Sequence, residues 1–167
     1  MNPLAADLSY KARALAQAHP LSAAARRVTE RVVSDQQATQ PLPEIAVWAS
    51  IGLLHGYCLR RVEEDAAGWD TQSAPPITDA DLLDRLTDQI ASDVRVGEPA
   101  AHLLLDEEVV LDALNRLVGS QLERRRDHLG DHLAEAAWAE LEEYLAYWVV
   151  RGYALRVAEW TTTAPAS

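Results

Sequence analysis

Apolar residues recur at three- and four-residue spacing along nearly the whole chain, and no run alternates in the manner of a half-buried strand. The pattern predicts an all-α fold: a single-domain, mainly antiparallel helical bundle of about six helices over residues 1–160. The closing "TTTAPAS", residues 161–167, has the composition of a disordered tail. The first helix is expected from Asn2 as N-cap and Pro3 to about residue 18, the second from His19-Pro20 to about 38, where "QPLP" breaks the pattern. A third should run from Pro43-Glu44 to about Ala66, followed by the longest loop, residues 67–76. Thr78 with Asp81 resembles a capping box for the fourth, with Ile77 stapled on Leu82 and an apolar face of Leu82, Leu83, Leu86, Ile90 and Val94. The fifth is expected from Ala101 or Asp106 to Leu129, stopped by Gly130, and the last from Asp131 to about Trp160. The alternative is one long helix that absorbs Gly130.

"HGYCLRRVEE", residues 55–64, reappears in blurred form as "RGYALRVAEW", residues 151–160. Gly, Tyr, Leu and Arg match in register, as do Glu44 with Glu140 and Glu63 with Glu159. The preceding segments do not align, so convergent packing of two central helices is expected rather than duplication. On the third helix Ala49, Gly52 and Gly56 share a stripe, and on the last Gly152 lies between Trp148 and Leu155. Small residues on one line let two backbones approach, so Gly52, Gly56 and Gly152 mark a helix crossing. An antiparallel crossing at Gly56 and Gly152 would bring Arg60 onto the Trp148 ring.

The balance of 26 acidic against 15 basic residues excludes a general nucleic-acid binder, because such a surface repels phosphate. Arg124, Arg125 and Arg126 are the tight basic cluster, but on a helix they spread around the circumference and read as a solvated end. Glu63, Glu64, Asp65, Asp70, Asp79, Asp81 and Asp84 read as a solvated acidic face beside the long loop. The single cysteine, Cys58, admits no internal disulfide and fits a reducing, cytoplasmic setting. No signal peptide or membrane span is visible: the most apolar run, residues 45–59, contains His55 and ends on two arginines. One Lys and no Phe beside abundant Ala, Leu and Arg point to a GC-rich genome and a bacterial origin.

His128 and His132 stand four apart and would share a face of a continuous helix, where with His55 they could hold a divalent metal such as Zn²⁺. Asp127, Asp131 or Glu135 would then orient a ligand or act as base. His55, His128 and His132 in this order resemble the ligand set of DinB-like metal-binding bundles, in which an early histidine joins a pair at i, i+4. The resemblance is confined to those three residues and implies a metal-dependent enzyme. The plainer expectation is no cofactor, with His55 a core histidine and Cys58 a buried, inert thiol. Glu-x-x-His pairs of the ferritin type and glycine-rich phosphate loops are absent.

Aromatic residues crowd the last helix and point in several directions. Trp48, Tyr57, Tyr144, Trp148, Arg151, Tyr153, Arg156 and Trp160 are therefore the expected interface or pocket residues. The expected function is a non-enzymatic binding or assembly protein, homodimeric through that helix or joined by it to a protein partner. The competing reading is a small-ligand sensor whose apolar pocket holds an anion on Arg151, Arg156 or His55.

Overall fold

The computed structural model describes residues 2–39, 43–70, 79–95, 102–129 and 135–163. Among the described residues there are six helices and no strand: α1 (Pro3–Ala16), α2 (Ala23–Thr39), α3 (Pro43–Ala66), α4 (Ala80–Arg95), α5 (Glu107–Leu129) and α6 (Glu135–Thr163). None is long and apolar enough to cross a membrane.

Each described start has a local cause. Asn2 Oδ1 accepts hydrogen bonds from the Leu4 and Ala5 amides at 3.1 and 3.3 Å. α2 begins later than expected because His19 takes a positive φ of 48°, and Ser22 Oγ then accepts from the Ala25 amide at 3.1 Å. Asp79 caps α4, its carboxylate taking the Asp81 and Leu82 amides at 3.0 and 3.1 Å. The expected cap at Thr78 and staple at Ile77 lie outside the described residues. Leu82, expected in the core, is 36% exposed, and the face that turns inward is Leu83, Thr87, Ile90 and Ala91. Thr87 fits there because its hydroxyl donates to the Leu83 carbonyl. The Asp106 carbonyl opens α5 by accepting from the Val109 and Val110 amides. Gly130 and Asp131 lie outside the described residues. α6 runs to Thr163, so the first residues of the expected tail are helical.

α3 and α6 form the centre of the molecule. Gly52 meets Trp148, Gly56 meets Val149 and Tyr153, Glu64 meets Arg156, and Trp69 stacks edge-on against Trp160. Partners advance together along both helices, so this pair runs parallel, against the expected antiparallel crossing. Two helices lie between α3 and α6 in sequence, so no short loop forces them to alternate. Arg60 consequently lies on the rings of Tyr153 and Trp69, and the arginine on Trp148 is Arg151. The glycines are required by the approach. A Cβ at Gly52 would stand 2.6 Å from Trp148 Cβ, one at Gly56 would fall on the Val149 carbonyl, and one at Gly152 on the Leu53 carbonyl.

The contacts repeat with an offset of 96, since Gly56 on Val149 corresponds to Gly152 on Leu53. The other helices follow the same relation. α1 packs on α3 as α4 packs on α6, α2 on α3 as α5 on α6, and α1 on α5 as α4 on α2. The α3·α5 contact has its counterpart where Val32 joins the Trp148 cluster and Tyr144 donates to Gln36 of α2. The described helices thus form two three-helix units about a pseudo-two-fold axis along the α3/α6 pair. The correspondence extends beyond the two crossing helices to the other four.

Two glycine substitutions should separate in sign. Gly56→Ala is expected to destabilise by about 3 kcal/mol, because backbone blocks the added methyl. Gly119→Ala in α5, where a Cβ meets nothing within 4 Å, is expected to stabilise by about 1 kcal/mol. Urea unfolding midpoints of both variants give the comparison.

Candidate functional site

The matched stretches meet at the crossing and build one buried polar cluster. Arg60 Nη1 donates to Tyr153 Oη at 2.8 Å and to Glu63 at 3.3 Å, and Tyr153 donates its hydroxyl proton to Glu63. In the related position Arg156 donates to Glu159 at 3.1 Å and reaches Tyr57 Oη at 3.5 Å. Glu64 breaks the symmetry, taking Arg156 through Nε at 3.1 Å and Nη2 at 2.8 Å, with Arg60 Nε 3.5 Å away. Its counterpart is Trp160, whose ring Arg156 covers at 5.5 Å.

Glu63 and Glu64 are fully buried, where a solvated acidic face was expected. Their position follows from spacing: Arg60 precedes them by three and four residues, so on a helix one guanidinium serves both carboxylates. Glu63 also accepts the Leu104 and Leu105 amides at 3.0 and 3.1 Å, and Arg60 donates to the His102 carbonyl. The cluster thereby holds the segment leading into α5. Burial raises the Tyr153 and Tyr57 hydroxyl pKa values, with Glu63 and Glu159 adding to the respective shifts against the Arg60 and Arg156 charges. Burial opposes the charge of Arg156, but the hydrogen bonds and charge of Glu64 outweigh it and raise its pKa. These phenols stay protonated and this guanidinium stays charged.

His55 is 8% exposed and uses both ring nitrogens. Nδ1 donates to the Ile51 carbonyl at 2.7 Å, which leaves Nε2 to accept from Gln121 at 3.0 Å. Its role as a core histidine is thereby accounted for. Of the other two expected metal ligands, His132 lies outside the described residues and so does the side chain of His128. Among the described residues no three His, Cys, Asp or Glu side chains are grouped to hold a metal ion. Burial pushes the Cys58 thiol up to about 12, with Arg61 opposing, so it is not a thiolate at neutral pH.

The expected interface residues divide. Trp48 and Trp138 form a satellite cluster with Leu141, covered by Arg125 and Arg126 at 5.8 and 4.8 Å from the Trp48 and Trp138 rings. Tyr57, Tyr153 and Arg156 belong to the buried cluster, and Gly52, Gly56 and Gly152 to the crossing. Trp148 is 5% exposed and packs over Gly52, so a charge there would test folding rather than assembly. Tyr144, Tyr147, Arg151 and Trp160 remain partly exposed.

Tyr147, Trp148 and Arg151 form one wall of an open groove of about 300 Å³ between α2, α4 and α6. Tyr147 meets the Trp148 ring edge-on at 4.9 Å, and Arg151 lies 5.3 Å from the Trp148 centroid. Opposite stand Arg31 and Asp35 of α2 and Asp84 and Asp88 of α4. Arg151 pairs with Asp88, and Arg31 pairs with Asp81 at 2.7 Å and Asp84 at 3.5 Å. Burial, then the Asp88 charge, raises the Asp84 pKa, with Arg31 and Arg151 pulling the other way. Trp148 Nε1 and Arg151 Nε are shielded from solvent. Burial raises the Tyr144 pKa, and a side-chain hydrogen bond from Trp148 opposes the rise. A second hollow of about 220 Å³ adjoins it, sharing Asp88, Tyr147 and Arg151. Asp35, Asp84 and Asp88 went unnoticed as site residues because only the packing of α2 against α4 unites them. Another groove, between α1 and α5, is lined by Ser9, Gly119 and Ser120 with Arg13, Arg116 and Glu123.

Removing Arg156 leaves two buried carboxylates short of a cation, so Arg156→Met should cost about 3–5 kcal/mol in urea unfolding. A separate acid dependence comes from His55. Burial lowers its pKa from the ordinary 6.5; the Ile51 carbonyl opposes this, and Arg124 and Arg13 reinforce it. The unfolded chain binds a proton that the folded ring refuses. Stability from this residue is therefore present above 6.5 and lost as pH falls from there toward the folded pKa. Unfolding midpoints measured across this range should fall less steeply for His55→Gln. Comparison of the chain with protein-family models, curated proteins and solved structures returns no match, so what it does has to be argued from its own side chains.

Proposed function

We propose that this is a non-enzymatic binding protein whose site is the groove between α2, α4 and α6. One observation carries the reading: an open groove of about 300 Å³ sets the edge-on Tyr147–Trp148 pair and Arg151 against Asp35, Asp84 and Asp88. The aromatic wall adds apolar area, and the paired charges opposite give orientation.

The buried cluster at the crossing supports a different role for the other polar groups. Apart from Arg60 Nε, the groups of its arginines, glutamates and tyrosines named above pair with one another, so they support the α3/α6 geometry and the groove's wall. A sensor pocket anchored on Arg156 is disfavoured by the same contacts, since that guanidinium is already shared by Glu64 and Glu159. Self-association through α6 would rest on Tyr144, Tyr147 and Trp160, the aromatic residues of that helix with remaining exposure.

Thermal unfolding against a chemically mixed set of small molecules is the test. A molecule bound in the groove at 100 times its Kd should stabilise the native protein by about 2.7 kcal/mol. Arg151→Met and Tyr147→Ala should retain the helical spectrum and lose most of that shift. A shift undiminished in both variants, or no shift with any compound, would refute the groove.

A further inference from the structure

We propose that the crossing face of α3 recognises α6 of a second copy as well as its own, so that two chains assemble by exchanging halves. Exchange uses the buried faces of α3 and α6, so it stands apart from the groove and from the exposed aromatics of α6.

Connectivity permits the exchange. α1, α2 and α3 form one three-helix unit and α4, α5 and α6 the other, and the chain passes between them once, from Ala66 to Ala80. Tyr153 on Glu63, Arg156 on Glu64 and Gln121 on His55 each join one unit to the other. In a pair of chains that trade units, every such contact is made again between copies, at two crossings. That dimer differs from two closed monomers chiefly in the path of residues 67–79 and in translational freedom.

Selectivity names the occupant. Gly52 and Trp148 are equivalent under the two-fold relation and face one another, a Cβ at Gly52 standing 2.6 Å from Trp148 Cβ. Two copies of the first unit would set Gly52 against Gly52 and leave the space of the indole unfilled. Two copies of the second would drive Trp148 into Trp148, with no glycine to receive either ring. Charge disfavours the first like pair as well. It would bury Glu63 and Glu64 twice over, with only the two Arg60 side chains to answer four carboxylates. Each unit thus fits the opposite unit and rejects its own kind, and the partner that carries the opposite unit is a second copy of this chain.

Concentration decides which copy supplies it. A short tether presents the chain's own second unit at an effective concentration on the order of millimolar. In dilute protein the closed monomer therefore prevails. Chains that unfold and refold together near that concentration meet a neighbour's unit as often as their own.

Two full chains, one with Gly52→Trp and one with Trp148→Gly, test the exchange. Alone, the first has no room for its added indole and the second leaves a void at the crossing, so both should unfold at lower urea than the native chain. Unfolded in urea and refolded as an equal mixture, they recover one native and one reversed glycine–tryptophan contact only by trading halves. The mixture should have twice the 18.4 kDa mass of one chain and a urea midpoint above that of either variant alone. A single chain with both substitutions, folded and monomeric, shows that the reversed contact is accepted. The unsubstituted chain provides a second test: refolded from urea at about 1 mM, it should yield a dimer fraction about tenfold or more above that at about 10 μM. If the doubly substituted chain does not fold, this second test decides alone. Variants that stay unrescued on mixing while the doubly substituted chain folds overturn the exchange, as does an unsubstituted chain that refolds as monomer at both concentrations. A dimer that forms as readily from native chain never exposed to urea is association through outer faces and overturns it too.

Discussion

The close crossing of α3 and α6 is the constraint on which the rest of the structure depends. Three glycines bring two backbones together, and at that separation the residues one turn further on have no route to solvent. Tyr57, Arg60, Glu63 and Glu64 of one helix must therefore answer Tyr153, Arg156 and Glu159 of the other. Ion pairs in such a place add little net stability over an apolar filling, because desolvation offsets their attraction. Their effect is on geometry. A slip of either helix by one turn would break the Arg156–Glu64 pair and part Tyr153 from Arg60 and Glu63, so the cluster fixes register and the glycines fix distance.

That register reaches outward in two directions. Through Glu63 and Arg60 it holds residues 102–105, which set where α5 begins and so where Gln121 meets His55. Along α6 it fixes Trp148 over Gly52, and with it the wall formed by Tyr147 and Arg151. The groove is a surface feature, yet its floor is the crossing itself. The polar core and the candidate site thus belong to one mechanical unit, with α2 and α4 contributing the charged side of the groove.

Much of this architecture was legible in the chain. The helical period, the Asn2 cap and the glycine stripe each act through neighbours within a turn or two, and the structure repeats them. Direction was not legible. Gly56 and Gly152 announced a crossing, but a glycine stripe looks the same to a parallel and an antiparallel partner. The glutamates were misread for a related reason. Glu63 and Glu64 look like surface residues until Tyr153 and Arg156 arrive from 90 and 92 positions away. Asp35, Asp84 and Asp88 sit on two amphipathic helices as ordinary outward charges, and only the packing of α2 against α4 turns them toward Arg151. His55 was readable as a core histidine, though its partner Gln121 was not.

The two-fold relation between the halves also bears on how freely the chain can be threaded. Because α1, α2 and α3 stand to one another as α4, α5 and α6 do, either half serves equally well as the first to be synthesised. A permuted chain that opened between α3 and α4 and joined the present ends with a linker would contain the same two units in exchanged order. The axis between α3 and α6 would not register the change. What such a protein cannot exchange is the asymmetry between the halves: Glu64 opposite Trp160, and a groove with three aspartates on one side where Arg13, Arg116 and Glu123 stand beside serines and a glycine on the other.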